Sequence, residues 1–568
     1  MQMIDLLQKI GISVVSIESD NAIIAFRDEA DLTSFREVVD NYERGPLINK
    51  KTGEPYKSTQ YDVIENIEVG QMRLWGRVDR VGSRLADEIG TSGESITKNK
   101  LYSVDVELWH RGTSELARAA IAELKIAIQS TGNADERVCD TFVGQLLCLA
   151  RIIVRGSTLN KLLELDIVGE IELPSQPSLD VRQVRRTTER EFPEPPQPPV
   201  DGPSVCVVDS GATTNHPLIA NNIGHAESIL TKTDSAADEN GHGTMVGGLA
   251  VFGSVRGCYA DGTFASPITL YSARVLNADN SFDDEELIIH QMRRAIEVFM
   301  QAPYGCHVFN MSLGARDAWL RNNNRQSIWA ESLDILAREF NVLLVVSAGN
   351  QDLAFGYSAD ESEHIISSYP EYLFREECGL CEPATAAIPI TVGGIAESDA
   401  PQVRVGAASG DINRGIAKPF QPSPLTRIGP GINDAIKPEF VDFAGNLSFQ
   451  GFGNNREVNA DRGMSVMSFS NDPTNQLFAF DNGTSMAAPK VSRIASILWR
   501  NLRDELGSDP QANLVRAILA ASAEIPPPVT KLLKNEHGEA GIRQVCGFGM
   551  IDEELAYESG DRRPTMYH

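Results

Sequence analysis

At 568 residues, with 42% hydrophobic and 23% charged side chains, the chain has the make-up of a soluble globular protein and the length of two to four domains. Its net charge of -27 excludes a general binder of nucleic acid or of anionic membranes and favours basic partners or substrates. The first 26 residues lack a basic n-region, Glu18 and Asp20 interrupt their apolar residues, and no apolar run nears the roughly 20 residues that span a bilayer, so neither a secretory signal nor a membrane segment is expected. The eight cysteines are dispersed and several lie in apolar runs, a pattern of reduced, buried thiols in the cytoplasm. Cys378-Gly-Leu-Cys381 is the one close pair. A zinc site would want a second pair or histidines at suitable spacing, and none is evident.

In chain order, Ile12 to Ile17 and Ala22 to Phe26 are expected as a hairpin around Ser19-Asp20-Asn21. Glu29 to Tyr42 has helical periodicity, with Leu32, Phe35, Val38 and Val39 on one side. A polar stretch follows over 49–60, then a strand over Val69 to Val78 and a loop over Ser92 to Lys98. Residues 1–95 are thus expected as one α+β module with a regulatory or recruitment role. Residues 96–173 form a second unit. Leu101 to Trp109 alternates as a strand, Ser114 to Ile128 is a helix, and Val138 to Val143 and Leu147 to Val154 are strands. A helix over Ser157 to Leu165, with Ser157 as N-cap, and a strand over Asp166 to Leu173 complete the unit. The order βαββαβ is that of a ferredoxin-like fold. Two alternatives stand beside it: Val138, Phe142, Leu146, Leu149 and Ile153 also fit the stripe of one helix, and an unrelated α+β module has similar spacing. Residues 174–203 are a linker, with a basic island from Arg182 to Arg190 and an extended Pro-rich run, Pro193 to Pro199.

From Val205 the pattern changes. Apolar strands over Val205 to Val208, Leu270 to Val275, His307 to Met311 and Val342 to Ser347 alternate with helices over Glu285 to Phe299 and Ser327 to Phe340. Continuous apolar strands between helices point to a parallel sheet covered on both faces, within one large α/β domain over 204–568. Its first strand runs into Asp209-Ser-Gly, an acid where an open α/β sheet places its site. Asn240-Gly-His242-Gly-Thr244 sets a histidine between glycines at a helix start. Ser347-Ala-Gly-Asn350 ends a buried strand with an amide donor. Gly483-Thr-Ser485-Met-Ala-Ala-Pro489 places a serine just before a helix whose stripe is Val491, Ile494, Ala495 and Leu498. There, unpaired N–H groups suit a developing oxyanion. Each segment alone has an ordinary reading as a turn or cap.

Together, in this order, they make residues 203–552 resemble the subtilisin-like serine proteases, the subtilases. Val-Val-Asp209-Ser-Gly is similar to the family's aspartate motif and Gly-His242-Gly-Thr to its histidine motif. Asn310-Met-Ser312-Leu313-Gly314 is similar to its substrate-binding strand, Ser347-Ala348-Gly349-Asn350 to its oxyanion motif, and Gly483-Thr-Ser485-Met-Ala-Ala-Pro489 to its nucleophile motif. Smaller echoes are Ala273-Arg-Val-Leu276, Ile436-Lys-Pro-Glu439 and Gly547 to Asp552. The resemblance implies a serine endopeptidase acting on protein or peptide substrates. Ser485 would be the nucleophile, His242 the general acid and base, Asp209 its orienting partner and Asn350 the oxyanion donor. Ser312, Leu313 and Gly314 would pair with substrate, and Ala348 and Gly349 would form the opposite wall of the S1 pocket. No cofactor is implied. Calcium is common in the family, but no ligand cluster here is specific enough to assign, so no metal residue is named.

The acidic stretch from Asn277 to Glu286 lies close to where the family lines its non-primed subsites. It fits a preference for basic substrates or, more simply, an acidic helix start. Many subtilases carry a ferredoxin-like prodomain, and 96–173 resembles one in order and position. A regulated cytoplasmic endopeptidase is therefore expected. The alternatives are an effector gated by a partner such as an ATPase or sensor, and a non-catalytic scaffold on the same fold.

Overall fold

The computed structural model describes residues 12–18, 21–26, 76–110, 113–145, 147–177, 192–320, 326–351, 367–402, 412–452 and 455–558. The chain divides into two compact units, 1–174 with 285–287, and 175–284 with 288–568. The helix expected over 29–42, the polar stretch 49–60 and the basic island 182–190 lie outside the described residues.

In the first unit, β1 (Ile12–Glu18) and β2 (Asn21–Phe26) pair antiparallel as the expected hairpin. The described end of the strand expected over Val69 to Val78 is helical instead: α1 (Arg77–Arg80) is followed by α2 (Ser83–Ile89). The Asp79 carboxylate caps the Gly76 N–H at 2.8 Å, and Val78 is left in solvent, where an alternating strand would have buried it. Next come β3 (Leu101–Leu108), α3 (Ser114–Gln129), β4 (Arg137–Val143), β5 (Cys148–Arg155), α4 (Gly156–Leu162) and β6 (Val168–Glu172). The antiparallel sheet has the order β4-β5-β3-β6. This is the ferredoxin-like arrangement. Tyr102, Val104, Val106 and Leu108 are buried in one core with Ala117, Ile121 and Leu124 of α3, following the period of two in the strand and 3.6 in the helix. The one-helix alternative for 138–153 does not hold, because Val138 pairs with Ile152 and Phe142 with Leu149. Ser157 is not the N-cap of α4. The helix begins at Gly156, and the Gly156 and Ser157 N–H groups are taken by the carbonyls of Lys100 and Lys98, so no side-chain cap is needed.

The second unit is built on β7 (Ser204–Asp209), β8 (Ile223–Ser228), α5 (His242–Phe252), β9 (Thr269–Arg274), α6 (Ile288–Met300), β10 (Val308–Met311), β11 (Ala315–Trp319), α7 (Ile328–Phe340), β12 (Leu343–Ser347), β13 (Cys381–Glu382), β14 (Ile390–Ile395), β15 (Ile412–Gly415), β16 (Phe440–Phe443), β17 (Leu447–Phe452), β18 (Asn455–Ala460) and α8 (Ala488–Leu506). Seven strands form one parallel sheet in the order β16-β14-β12-β10-β7-β9-β8. α5 and α8 pack against it and against each other, and their residues share one core with Val207, Val308, Val345 and Val392 of the strands. α5 is buried along its whole length, as its apolar, glycine-rich sequence requires. α8 buries Val491, Ile494, Ala495 and Leu498, with Pro489 in its first turn where no N–H is missed. α6 and α7 pack together elsewhere on the unit, and Ser327 caps α7.

The helix expected from Glu285 begins only at Ile288, so the acids at 283–286 precede it and do not occupy its first turn. Asp283 is instead buried, accepting from the Thr231 hydroxyl and facing Lys232 at 3.5 Å. Within the long loops between 401 and 480, β15, β17 and β18 make a small antiparallel sheet. No helix among the described residues is long and apolar enough to cross a membrane.

Candidate active site

Asp209 ends β7 at the carboxyl edge of the sheet and is fully buried. His242 opens α5, and its Nδ1 lies 2.8 Å from Asp209 Oδ1. The same oxygen accepts from the Ser210 N–H at 2.8 Å. Asp209 Oδ2 is buried with no partner among the described residues. Burial pulls the His242 pKa down, but the charge and hydrogen bond of Asp209, with the charges of Asp481 and Asp238, outweigh it and leave the imidazole above its ordinary value.

The junction between β7 and α5 is held by Asp238. Its Oδ1 accepts from the Ser210 hydroxyl at 2.8 Å and from the N–H groups of Asn240 and Gly241, and its Oδ2 from the N–H and hydroxyl of Thr244. One buried carboxylate thus satisfies the open end of α5 and ties it to the residue beside Asp209. Gly243 permits the contact: a Cβ there would stand 2.1 Å from the Gly211 carbonyl oxygen.

Ser485 lies in a short turn, Thr484–Met486, that leads into α8 and packs against α5. Gly483 before it has φ +140°, and an added Cβ would meet Asn350 Nδ2 at 2.6 Å. The Asn350 side chain can lie against this turn because that Cβ is missing. Its Oδ1 accepts from the Thr484 N–H at 2.8 Å and hydroxyl at 3.1 Å. Those two donors use the carbonyl side of the amide and leave Nδ2 as the donor beside Gly483. The Ser485 hydroxyl donates to the Ser312 carbonyl at 3.1 Å, and the Ser312 hydroxyl to the Ser485 carbonyl at 3.0 Å. Asn310 and Ser492 extend this set, with Asn310 Nδ2 on Ser312 Oγ and Ser492 Oγ on Asn310 Oδ1.

The structure therefore joins Asp209 to His242 and joins Ser485 to Ser312, with Asn350 fixed to Thr484. Ser312-Leu313-Gly314 follows β10 and Ala348-Gly349 follows β12, so the two segments leave adjacent parallel strands side by side. The sequence reading missed three supporting residues. Asp238, two positions before the histidine segment, and Thr484, inside the nucleophile motif, were open to notice. Arg427 carries no such signal. It is buried, and its Nε donates to the Asn350 carbonyl at 3.0 Å while Nη1 donates to the carbonyls of Glu377 and Gly379, all main-chain acceptors that no sequence pattern marks. All eight cysteines are reduced thiols, and burial pushes Cys378 up to about 11.

The model of the subtilase family matches residues 200–549. The chain belongs to the subtilase family. The seven-stranded sheet and its flanking helices are the subtilase fold, and the Asp, His and Ser motifs lie within the matched span. Two further models, described as the N-terminal and central domains of Y4kK, match residues 1–70 and 79–173. Sinorhizobium fredii (strain NBRC 101917 / NGR234) holds two relatives described as uncharacterized, y4bN and y4kK. Identity to y4bN is 37% over 279 residues, 49% of this chain and 62% of that protein. Identity to y4kK is 24% over 217 residues, 37% of this chain and 64% of that protein. The chain thus spans less than two thirds of the length of either relative. Among solved structures, a lanthipeptide protease is similar with TM-score 0.40 and 18% identity, over 63% of this chain and 88% of the other. The prenylagaramide maturation protease PagA has TM-score 0.38 and 19% identity, over 63% and 94%.

Asp238→Ala would leave the N–H groups of Asn240, Gly241 and Thr244 without their acceptor. It is expected to cost about 1–3 kcal/mol, read as a lower midpoint of thermal unfolding. An unchanged midpoint would count against Asp238 as the cap of α5.

Proposed function

We propose that this subtilase is a serine endopeptidase that hydrolyses peptide bonds through an acyl-enzyme on Ser485. The observation that carries this reading is the 2.8 Å bond from His242 to a fully buried Asp209, made on a helix packed against the turn that holds Ser485. Asp209 holds Nδ1 protonated, which leaves Nε2 as the base. For attack, the Ser485 hydroxyl turns from the Ser312 carbonyl and passes its proton to Nε2 as Oγ bonds to the substrate carbonyl carbon. His242 then returns that proton to the leaving amine, and water repeats the sequence to release the acid. Asn350 Nδ2 and the Ser485 N–H receive the oxyanion. The substrate chain pairs with Ser312-Leu313-Gly314 as an added strand, opposite Ala348-Gly349.

The N-terminal region, with 1–95 as one module and 96–173 as a ferredoxin-like, prodomain-like unit, regulates this peptidase in the same proposal. The start of the linker supports it. Ser175 and Pro177 are buried, the Ser175 hydroxyl donates to Glu382, and the Phe282 N–H donates to Gln176 Oε1 at 3.2 Å. The stretch that follows the N-terminal region therefore has built contacts in the peptidase unit.

A fluorophosphonate probe is expected to label the full-length chain and not Ser485→Ala, and intact masses of the two are expected to differ by a cut within 174–203. Labelling only after addition of a partner would favour the gated effector, and no labelling under any condition would leave a scaffold. Asn350→Ala is expected to lower kcat about 100- to 1,000-fold with little change in KM, the loss known for such a donor in subtilisin. Because the His242 pKa is raised and the base must be neutral, kcat/KM should climb with pH through a midpoint above about 6.5. Asp481→Asn removes a negative charge that favours the cation, so the midpoint should fall. A midpoint that stays in place would remove Asp481 from the account.

A further inference from the structure

The two segments proposed to flank the substrate's P1 side chain leave β10 and β12 side by side, where Met311 pairs with Val346. A single sulfur atom stands where a side chain on either would reach. A Cβ built on Gly349 would stand 2.2 Å from Cys381 Sγ, and one built on Gly314 would stand 3.3 Å from it. The same Sγ lies 3.8 Å from the Ala348 carbonyl. An atom against the Ala348 carbonyl and within reach of a Cβ on either glycine limits the space between the two segments at that depth. Cys381 is 1% exposed and so is packed by its neighbours.

The strand that carries it is also fixed. β13 pairs with β11 through Ala315 with Glu382 and Trp319 with Cys381. Just upstream, the carbonyls of Glu377 and Gly379 accept from Arg427, whose Nε holds the Asn350 carbonyl. One buried guanidinium thus ties the segment leading to Cys381 to the oxyanion residue.

From these contacts we propose that the Cys381 side chain is the floor of the S1 pocket, keeping it shallow and selecting peptides with a small P1 residue: glycine, alanine or serine. The proposal rests on the peptidase reading and sharpens it. It names a specificity residue outside the family's motifs, supplied by the segment that holds Cys378 and Cys381.

Binding tests it without turnover. In full-length Ser485→Ala, fluorescence anisotropy would compare two labelled tetrapeptide acids that differ only in a C-terminal Ala or Phe. The Ala peptide is expected to bind about tenfold tighter or more, the scale on which an apolar pocket resolves size. Cys381→Gly in the same background is expected to close or reverse the gap. Cys381→Ala, which removes only the sulfur, is expected to narrow it, and circular dichroism melts check that both variants fold. Equal binding of the two peptides, an unchanged gap in a folded Cys381→Gly or Cys381→Ala chain, or binding of neither peptide would overturn the proposal. Phosphonate labelling of the wild-type chain judges the peptidase reading separately, so failure of one is not mistaken for failure of the other.

Discussion

Asp209 places a carboxylate at the end of a central strand with no solvent exposure, and the organisation of the site follows from that. A buried carboxylate is tolerated only when other groups take over the work of water. The Ser210 N–H and His242 Nδ1 do so on one oxygen. The second oxygen, unpartnered among the described residues, remains to favour an imidazolium electrostatically. The cost of the burial is met by the rigidity of the sheet. β7 lies between β10 and β9, so the carboxylate cannot retreat toward water without breaking both ladders. His242 is then bound to come to Asp209, and α5 is built to bring it there: a helix apolar on every side, started by Asp238 and admitted to close contact by Gly243.

A second constraint operates across the sheet. Asn350 and Thr484 are far apart in the chain, yet the Thr484 N–H and hydroxyl fix the carbonyl side of the Asn350 amide. This leaves the amide nitrogen facing the turn that carries Ser485. The arrangement depends on Gly483 having no Cβ and on a φ that an L side chain rarely adopts. Arg427 then reaches behind Asn350 and joins the segment after β12 to the segment before Cys381. Groups that would stabilise charge and groups that would recognise the substrate thus share one buried network, in which a shift at one position is felt at the other.

Much of this was legible in the sequence because the relevant physics is local. Apolar runs between helical periodicities announced the parallel sheet, and the family motifs located Asp209, His242, Asn350 and Ser485. In the first unit, the alternation of Leu101 to Leu108 and the helix at Ser114 were open to reading. What the sequence left open or misread was decided mostly by contacts between segments. At 138–153 the apolar spacing satisfied both periods, and only pairing across the hairpin, Val138 with Ile152, decided for strands. Ser157 looked like an N-cap, but the carbonyls of Lys98 and Lys100, brought in by the fold, had already taken the N–H groups in question. The strand expected through Val78 gave way to a helix capped by Asp79.

The sequence by itself determined the subtilase fold of the second unit, the order of its motifs and the residue types available for chemistry, because periodicity, glycine at strained turns and short-range caps are written in neighbouring residues. Tertiary structure alone decided which distant groups touch: His242 on Asp209, Thr484 on Asn350, Arg427 across three main-chain carbonyls, and Cys381 between two glycines. Such contacts arise where packing leaves a space of a given size and polarity. A sulfur or guanidinium that fills it carries no mark in the sequence.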